Sequence, residues 1–175
     1  MANNNFSSIE EGLLREGAGS YWLARAAIKE YQALVCRRCR EVVEAEQDHI
    51  VAAIGSPLKT LEDFDEFEPG TRYAGLGTRV RGRNANHSFA LWWEKDKLYA
   101  SVWTWFKDKE ITRRAWLRLQ EAHPKGSADS SNTEIWLRVE IPTSDVGNPW
   151  NHLSNCIREW SQIWGRVPGG LKQYL

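Results

Sequence analysis

The chain has 175 residues, of which 42% are hydrophobic and 26% charged, with 23 Lys+Arg balancing 23 Asp+Glu. This composition excludes a disordered or low-complexity protein, suits one folded domain, and offers no run of about 18 apolar residues for a membrane span. Zero net charge argues against both a general basic footprint for duplex DNA and an acidic DNA mimic. Residues 1–70 nevertheless hold 7 basic and 13 acidic residues, and residues 71–175 hold 16 and 10.

The N-terminal MANNNFSSIEEG has no basic segment followed by an apolar stretch, so the expectation is a cytoplasmic protein without a secretory signal. Residues 1–6 are polar and expected to be disordered. Residues 7–54 read as helical. Ser7 or Ser8 caps a short helix with Glu10 and Glu11 in its first turn, Gly17 and Gly19 break it, and Ser20 starts a longer one. Ala24, Ala27, Ile28, Tyr31, Leu34, Val35, Cys39 and Val42 recur at spacings of three and four, and Val43, Ile50 and Ile54 continue on a rotated face. Unbroken, residues 20–54 would span about 52 Å, against about 40 Å for a globule of this length. The helix must therefore protrude, kink or end early near Asp48. Gly55 and Pro57 follow as stop signals.

Residues 58–70, with the acidic run LEDFDEFEPG, read as a connecting loop or helical turn that pins Phe64 and Phe67 to the core, the alternative being an acidic-aromatic patch for a basic partner. Residues 72–80 read as a short strand loosened by Gly75 and Gly77, and residues 81–87 as a loop. Residues 88–94 and 97–106 then form a hairpin about a two-residue turn at Lys95-Asp96, with Glu94 facing Lys97. This register places Phe89, Leu91, Trp93, Leu98, Ala100 and Val102 on one face and Trp92, Tyr99, Trp103 and Trp105 on the other. A slip of one residue would scramble that sorting. The aliphatic face suits a helix-covered core; the aromatic face needs cover or a ligand.

Residues 111–122 show both periods, but good helix formers and the spacing of Ile111, Ala115, Leu119 and Ala122 favour a helix. Residues 123–133 read as a polar loop and Glu134–Ile141 as a strand ended by Pro142. A last helix over 149–164 has Asn148 as cap, Pro149 in the first position and Gly165 as stop. Its stripe of Trp150, Leu153, Ile157, Trp160 and Trp164 is expected to pack on the sheet, the aromatic face being one candidate surface, with Trp160 as a core anchor. The sum is an α+β fold: a long N-terminal helix, an antiparallel sheet of three to four strands spanning 72–141, and a C-terminal amphipathic helix packed on the sheet, in a single domain over 1–175.

Chemistry-bearing residues are sparse. Cys36, Cys39 and Cys156 are odd in number, which argues against a complete disulfide framework. Cys36-Arg-Arg-Cys39 lies mid-helix, where no dipole activates a thiolate. Cys36, Cys39, His152 and Cys156 would make a Cys3His zinc set if the two helices packed together, but the four are not expected to converge, and no metal or cofactor is expected. No nucleophile elbow, zincin or Walker motif is present, and the GxG of Tyr73–Thr78 lacks a following helix.

Arg72, Arg79, Arg81 and Arg83 are the most specific cluster. Arg79, Arg81 and Arg83 alternate, so an extended backbone points them to one side, toward phosphates or carboxylates. With Trp92, Tyr99, Trp103 and Trp105 they are the candidate binding residues. The leading expectation is a macromolecular binding module acting by protein–protein contact, an inhibitor, adaptor or immunity-type accessory protein of a phage or mobile element. One alternative is single-stranded DNA or RNA binding through the arginines and sheet aromatics. A second is an enzyme with an unrecognised site. For the arginines themselves the competing expectation is pairing with Glu62, Asp63, Asp65 and Glu66.

Overall fold

The computed structural model describes residues 8–58, 60–67, 73–82, 84–123 and 128–174; the expectation for residues 1–6 lies outside them. The elements are α1 (Ser8–Ala45), α2 (Gln47–Ile54), β1 (Leu61–Phe67), β2 (Tyr73–Arg81), β3 (Ala85–Glu94), β4 (Lys97–Phe106), α3 (Lys109–Ala122), β5 (Ala128–Ser130), β6 (Glu134–Ile141) and α4 (Trp150–Arg166). The fold is α+β, with an antiparallel sheet in the order β1-β2-β3-β4-β6-β5. It has six strands, not the three to four expected.

Contacts divide the chain into residues 1–34 and residues 35–175. In the first unit, α1 continues through Gly17 and Gly19, where the sequence reading placed a break and a new start at Ser20. Glycine in a helix costs about 1 kcal/mol but does not forbid the conformation. Tyr21, Trp22, Leu23 and Ile28 are exposed in this unit, with the Tyr21 and Trp22 rings edge to face at 5.6 Å.

In the second unit the helical pattern divides at Glu46, between α1 and α2. Glu46 is buried, and its carboxylate accepts two hydrogen bonds from the Arg158 guanidinium at 2.7 and 2.8 Å and one from the Ser154 hydroxyl at 2.6 Å. Arg158 holds the Glu46 carboxyl below the usual carboxylate range. This cluster ties the α1–α2 junction to α4. Gly55 then ends α2 in the left-handed conformation, with φ of 71°, as a helix C-terminus favours.

The expected connector over 58–70 contains the edge strand β1. Its charges suit an edge, where they discourage pairing with another sheet. The expected loop over 81–87 is partly strand, since β3 begins at Ala85, and the loop over 123–133 contains β5. The hairpin register is as read: Glu94 opposes Lys97, and Lys95 takes the positive φ of 59° that a two-residue turn demands. The helix over 111–122 is present as α3, capped by Asp108, whose carboxylate accepts from the Glu110 and Ile111 amides. At α4, Pro149 occupies the N-cap position without a side-chain cap, and the helix passes through Gly165 to end at Arg166, ahead of Pro168.

The aliphatic sheet face carries the core. Phe89, Leu91, Ala100, Val102, Ile135 and Leu137 are buried there against Leu153, Ile157, Trp160 and Trp164 of α4. Trp160 meets Phe89 edge to face at 5.9 Å and His87 at 5.7 Å, so α4 packs on the aliphatic face and not on the aromatic one. Ala115 and Leu119 of α3 and Ile50 of α2 join the same core. The last turns of α1 lie on the same side: Cys36 and Cys39 donate to the Phe64 and Leu76 carbonyls of β1 and β2.

Candidate functional site

Because side chains alternate along a strand, burying Phe89, Leu91, Ala100 and Val102 sends Ser88, Trp92, Trp103 and Trp105 to the other face. Among the described residues of the second unit, the helices all pack on the aliphatic side and none lies over the aromatic face. Trp92, Trp103 and Trp136 form a row across three strands: Trp103 stacks on Trp136 at 4.9 Å and lies 5.5 Å from Trp92. Trp103 and Trp136 are direct cross-strand partners, the sheet's closest side-chain relationship. Gly75 opposes Trp92, and a Cβ there would fall 2.3 Å from the indole. Glycine at 75 is thus what lets this ring lie across β2.

One end of the row opens into a cavity of about 230 Å³ with aromatic walls from Phe64, Trp92, Trp103 and Trp105. Phe64 belongs to β1 and Glu134, another lining residue, to β6; strands four steps apart share one cavity, so the sheet curls around it. Trp105 is 48% exposed at the rim, directly opposite Glu134. The buried Trp103 indole N–H has no hydrogen-bond partner among the described residues.

The charges of this face sort into pairs. Arg79 crosses the Phe64 ring at 4.9 Å to reach Glu66 at 3.0 Å, and its Nε donates to the Ser88 hydroxyl at 3.1 Å. Arg81 pairs with Glu62 at 2.6 Å, Lys97 with Glu140 at 2.8 Å, and Arg138 with Glu94 at 2.7 Å while lying over the Tyr99 ring. Glu134 is different. Its carboxylate has no hydrogen-bond or ion-pair partner among the described residues, and its pKa is raised, first by burial and then by the Glu66 charge.

Of the sequence candidates, Arg79, Trp92, Trp103 and Trp105 come together at this cavity. Tyr99 and Arg81 share the face but stand away from the cavity lining, and Arg72 and Arg83 lie outside the described residues. Arg79 and Arg81 pair with Glu66 and Glu62, which is the competing expectation for the arginines; Asp63, also offered as a partner, instead takes Arg40 of α1 at 2.7 Å. Sequence reasoning missed Ser88, Glu134 and Trp136, and named Phe64 and Glu66 only within the acidic run, not as part of this site. The strand over Glu134–Ile141 already sorted Glu134 and Trp136 away from Ile135 and Leu137. The alternation Glu62, Phe64, Glu66 was the corresponding signal in β1.

The zinc set does not form. Cys36 and Cys39 lie over β1 and β2, whereas Cys156 donates to the Ala100 and Leu137 carbonyls of β4 and β6. His152 bonds the Asp145 carboxylate at 2.8 Å. Burial pushes the Cys39 thiol up to about 12 and raises Cys156 further, so neither is a ready nucleophile. No group of three or more His, Cys, Asp or Glu suited to a metal occurs among the described residues.

No family model matches the sequence, and comparison with curated proteins and with solved structures finds no match. Function therefore has to be argued from the open face itself. Among the described residues no helix is long and apolar enough to cross a membrane.

Proposed function

We propose that the protein is a binding module that engages a protein partner through the open, aromatic face of its sheet, as an adaptor or inhibitor acting by occupancy. The observation that carries this reading is the charge pattern around the indoles. The four described cations that flank them, Arg79, Arg81, Lys97 and Arg138, are each neutralised by a glutamate of the sheet, the first three from an adjacent strand and Arg138 from β3 across β4, and Glu134 is left over. A phosphate track needs cations free to release counterions; this face offers indole surface and a carboxylate instead. Tryptophan surface ringed by satisfied polar groups is the composition of a protein-binding hot spot. Three buried thiols with no disulfide among them accord with a reducing, cytoplasmic compartment.

One observation favours single-stranded nucleic acid as a second reading: indoles in a row on a sheet face that no described helix of the second unit covers are what stacked bases use. A single experiment separates the two. The full chain and its Trp105→Asp variant are used to capture partners from a lysate of the source cells, with and without nuclease. Trp105 is half exposed, so the variant is expected to fold. The protein reading expects a protein that survives nuclease and is lost with Trp105→Asp. Loss of the captured species on nuclease treatment, or its retention by Trp105→Asp, overturns it.

A further inference from the structure

We infer that the cavity at the end of the indole row receives a cationic side chain, a lysine ammonium or an arginine guanidinium, presented by the partner; this rests on the reading of the open face as a protein-binding surface. Three features meet there. The first is the wall, with faces from Phe64, Trp92, Trp103 and Trp105. Aromatic faces carry negative quadrupole charge and attract cations, most strongly where water is excluded. The second is Glu134, opposite Trp105, half-buried, and unpaired among the described residues. A carboxylate drawn out of water without a partner is costly, and an incoming cation removes that cost. The third is a second carboxylate, Glu66, whose charge reaches Glu134 across the cavity.

Arg79 already illustrates the preference. It lies over the Phe64 ring and ends on Glu66, so a guanidinium from the chain itself uses one aromatic wall and one of the two carboxylates. The other carboxylate and the three indoles remain for a cation from outside. A cavity of about 230 Å³ takes the end of one long side chain and not a folded segment. An anionic ligand is disfavoured, since it would bring its charge against Glu134 and Glu66 while Arg79 is engaged.

The test uses capped single residues as probes on the full chain, followed by the tryptophan indole N–H resonances and by calorimetry. The probes are lysine, trimethyllysine and arginine derivatives, their neutral counterparts acetyl-lysine and citrulline, and nucleoside monophosphates. The cations are expected to bind and to shift the Trp92 and Trp105 resonances, with the neutral counterparts roughly tenfold weaker or silent. Glu134→Gln keeps shape and removes charge, and is expected to weaken cation binding about tenfold while leaving the resonances of the core Trp160 and Trp164 in place. Equal binding of neutral and cationic probes, binding that ignores Glu134→Gln, binding of nucleotides in place of cations, or no binding of any probe overturns the inference. If that happens while Trp105→Asp still abolishes capture of a nuclease-resistant protein partner, the binding face stands and only the cation is wrong. If Trp105→Asp has no effect on capture, the face itself is wrong.

Discussion

Lowering the pH from 7 to 4.5 is expected to destabilise this protein through one buried imidazole. His87 points from β3 into the core, where it is 1% exposed, bonded through Nδ1 to the Thr104 hydroxyl at 3.2 Å and covered by Trp160. Burial disfavours the imidazolium and lowers its pKa from 6.5 to about 4. The unfolded chain takes up a proton near the ordinary value while the folded chain refuses it until about pH 4. The folded state is therefore fully favoured above about pH 6.5, loses stability as pH falls through the interval, and levels off near pH 4. At ~1.4 kcal/mol per pH unit, the interval from 6.5 to about 4 amounts to about 3 kcal/mol. That is a large share of the 5–15 kcal/mol typical of a domain. The assay is urea denaturation at half-unit steps from pH 7 to pH 4.5, for the parent and for His87→Leu. Carboxylates contribute to both curves and cancel in the difference, so the variant is expected to lose the His87 part of the slope and keep only the carboxylate part, whatever its baseline. A parent whose stability is flat across the interval, or a variant with the parent's slope, would show that the imidazole is not held neutral by its surroundings.

Trp160→Ala is expected to cost about 3–5 kcal/mol, seen as a lower urea midpoint, because it empties the contact between α4 and the ring faces of Phe89 and His87. Glu46→Ala removes three side-chain hydrogen bonds at the α1–α2 junction; with Arg158 half exposed, the expected loss is about 2 kcal/mol in the same assay. Its carboxyl is held low, so its contribution is present above the ordinary carboxylate range and vanishes as pH falls through the folded value, a window below that of His87. Gly77→Ala places a Cβ 2.2 Å from the Phe89 carbonyl oxygen and is expected to lower stability by about 1–3 kcal/mol, whereas Gly147→Ala, with nothing within 4 Å, leaves the melting temperature within a degree or two of the parent.

Where periodicity was strong, the sequence was readable. The hairpin from Phe89 to Val102 showed its faces and turn because Phe89, Leu91, Trp93, Leu98, Ala100 and Val102 recur at every second position about the Lys95-Asp96 turn, and α4 showed its buried stripe because Leu153, Ile157, Trp160 and Trp164 keep helical spacing. Strand β1 was illegible for a physical reason. As an edge strand it carries acid on both faces, Asp63 toward Arg40 of α1 and Glu62 and Glu66 toward the arginines of β2, so the hydrophobic pattern that marks an internal strand is missing. Strand β5 is three residues long and held by pairing with β6, below the length at which any local pattern forms. The site was half legible for a related reason. Trp92, Trp103 and Trp105 follow from alternation in one hairpin, but Glu134 joins them through the pairing of β6 with β4 and Phe64 through the curl of the sheet, which no local pattern encodes. The arginines drew attention in the sequence both as a phosphate track and as partners of the acidic run; which glutamate each takes became visible once β1 was in place.

The central claim is that the open sheet face is the contact surface, and hydroxyl-radical footprinting of the protein alone and bound to its captured partner tests it most directly. Trp105, 48% exposed at the cavity rim, and Leu117, 50% exposed on α3 in the helical layer, are matched reporters. The account predicts that partner binding shields Trp105 from oxidation and leaves Leu117 unchanged. Shielding of Leu117 with Trp105 still fully oxidised would contradict it.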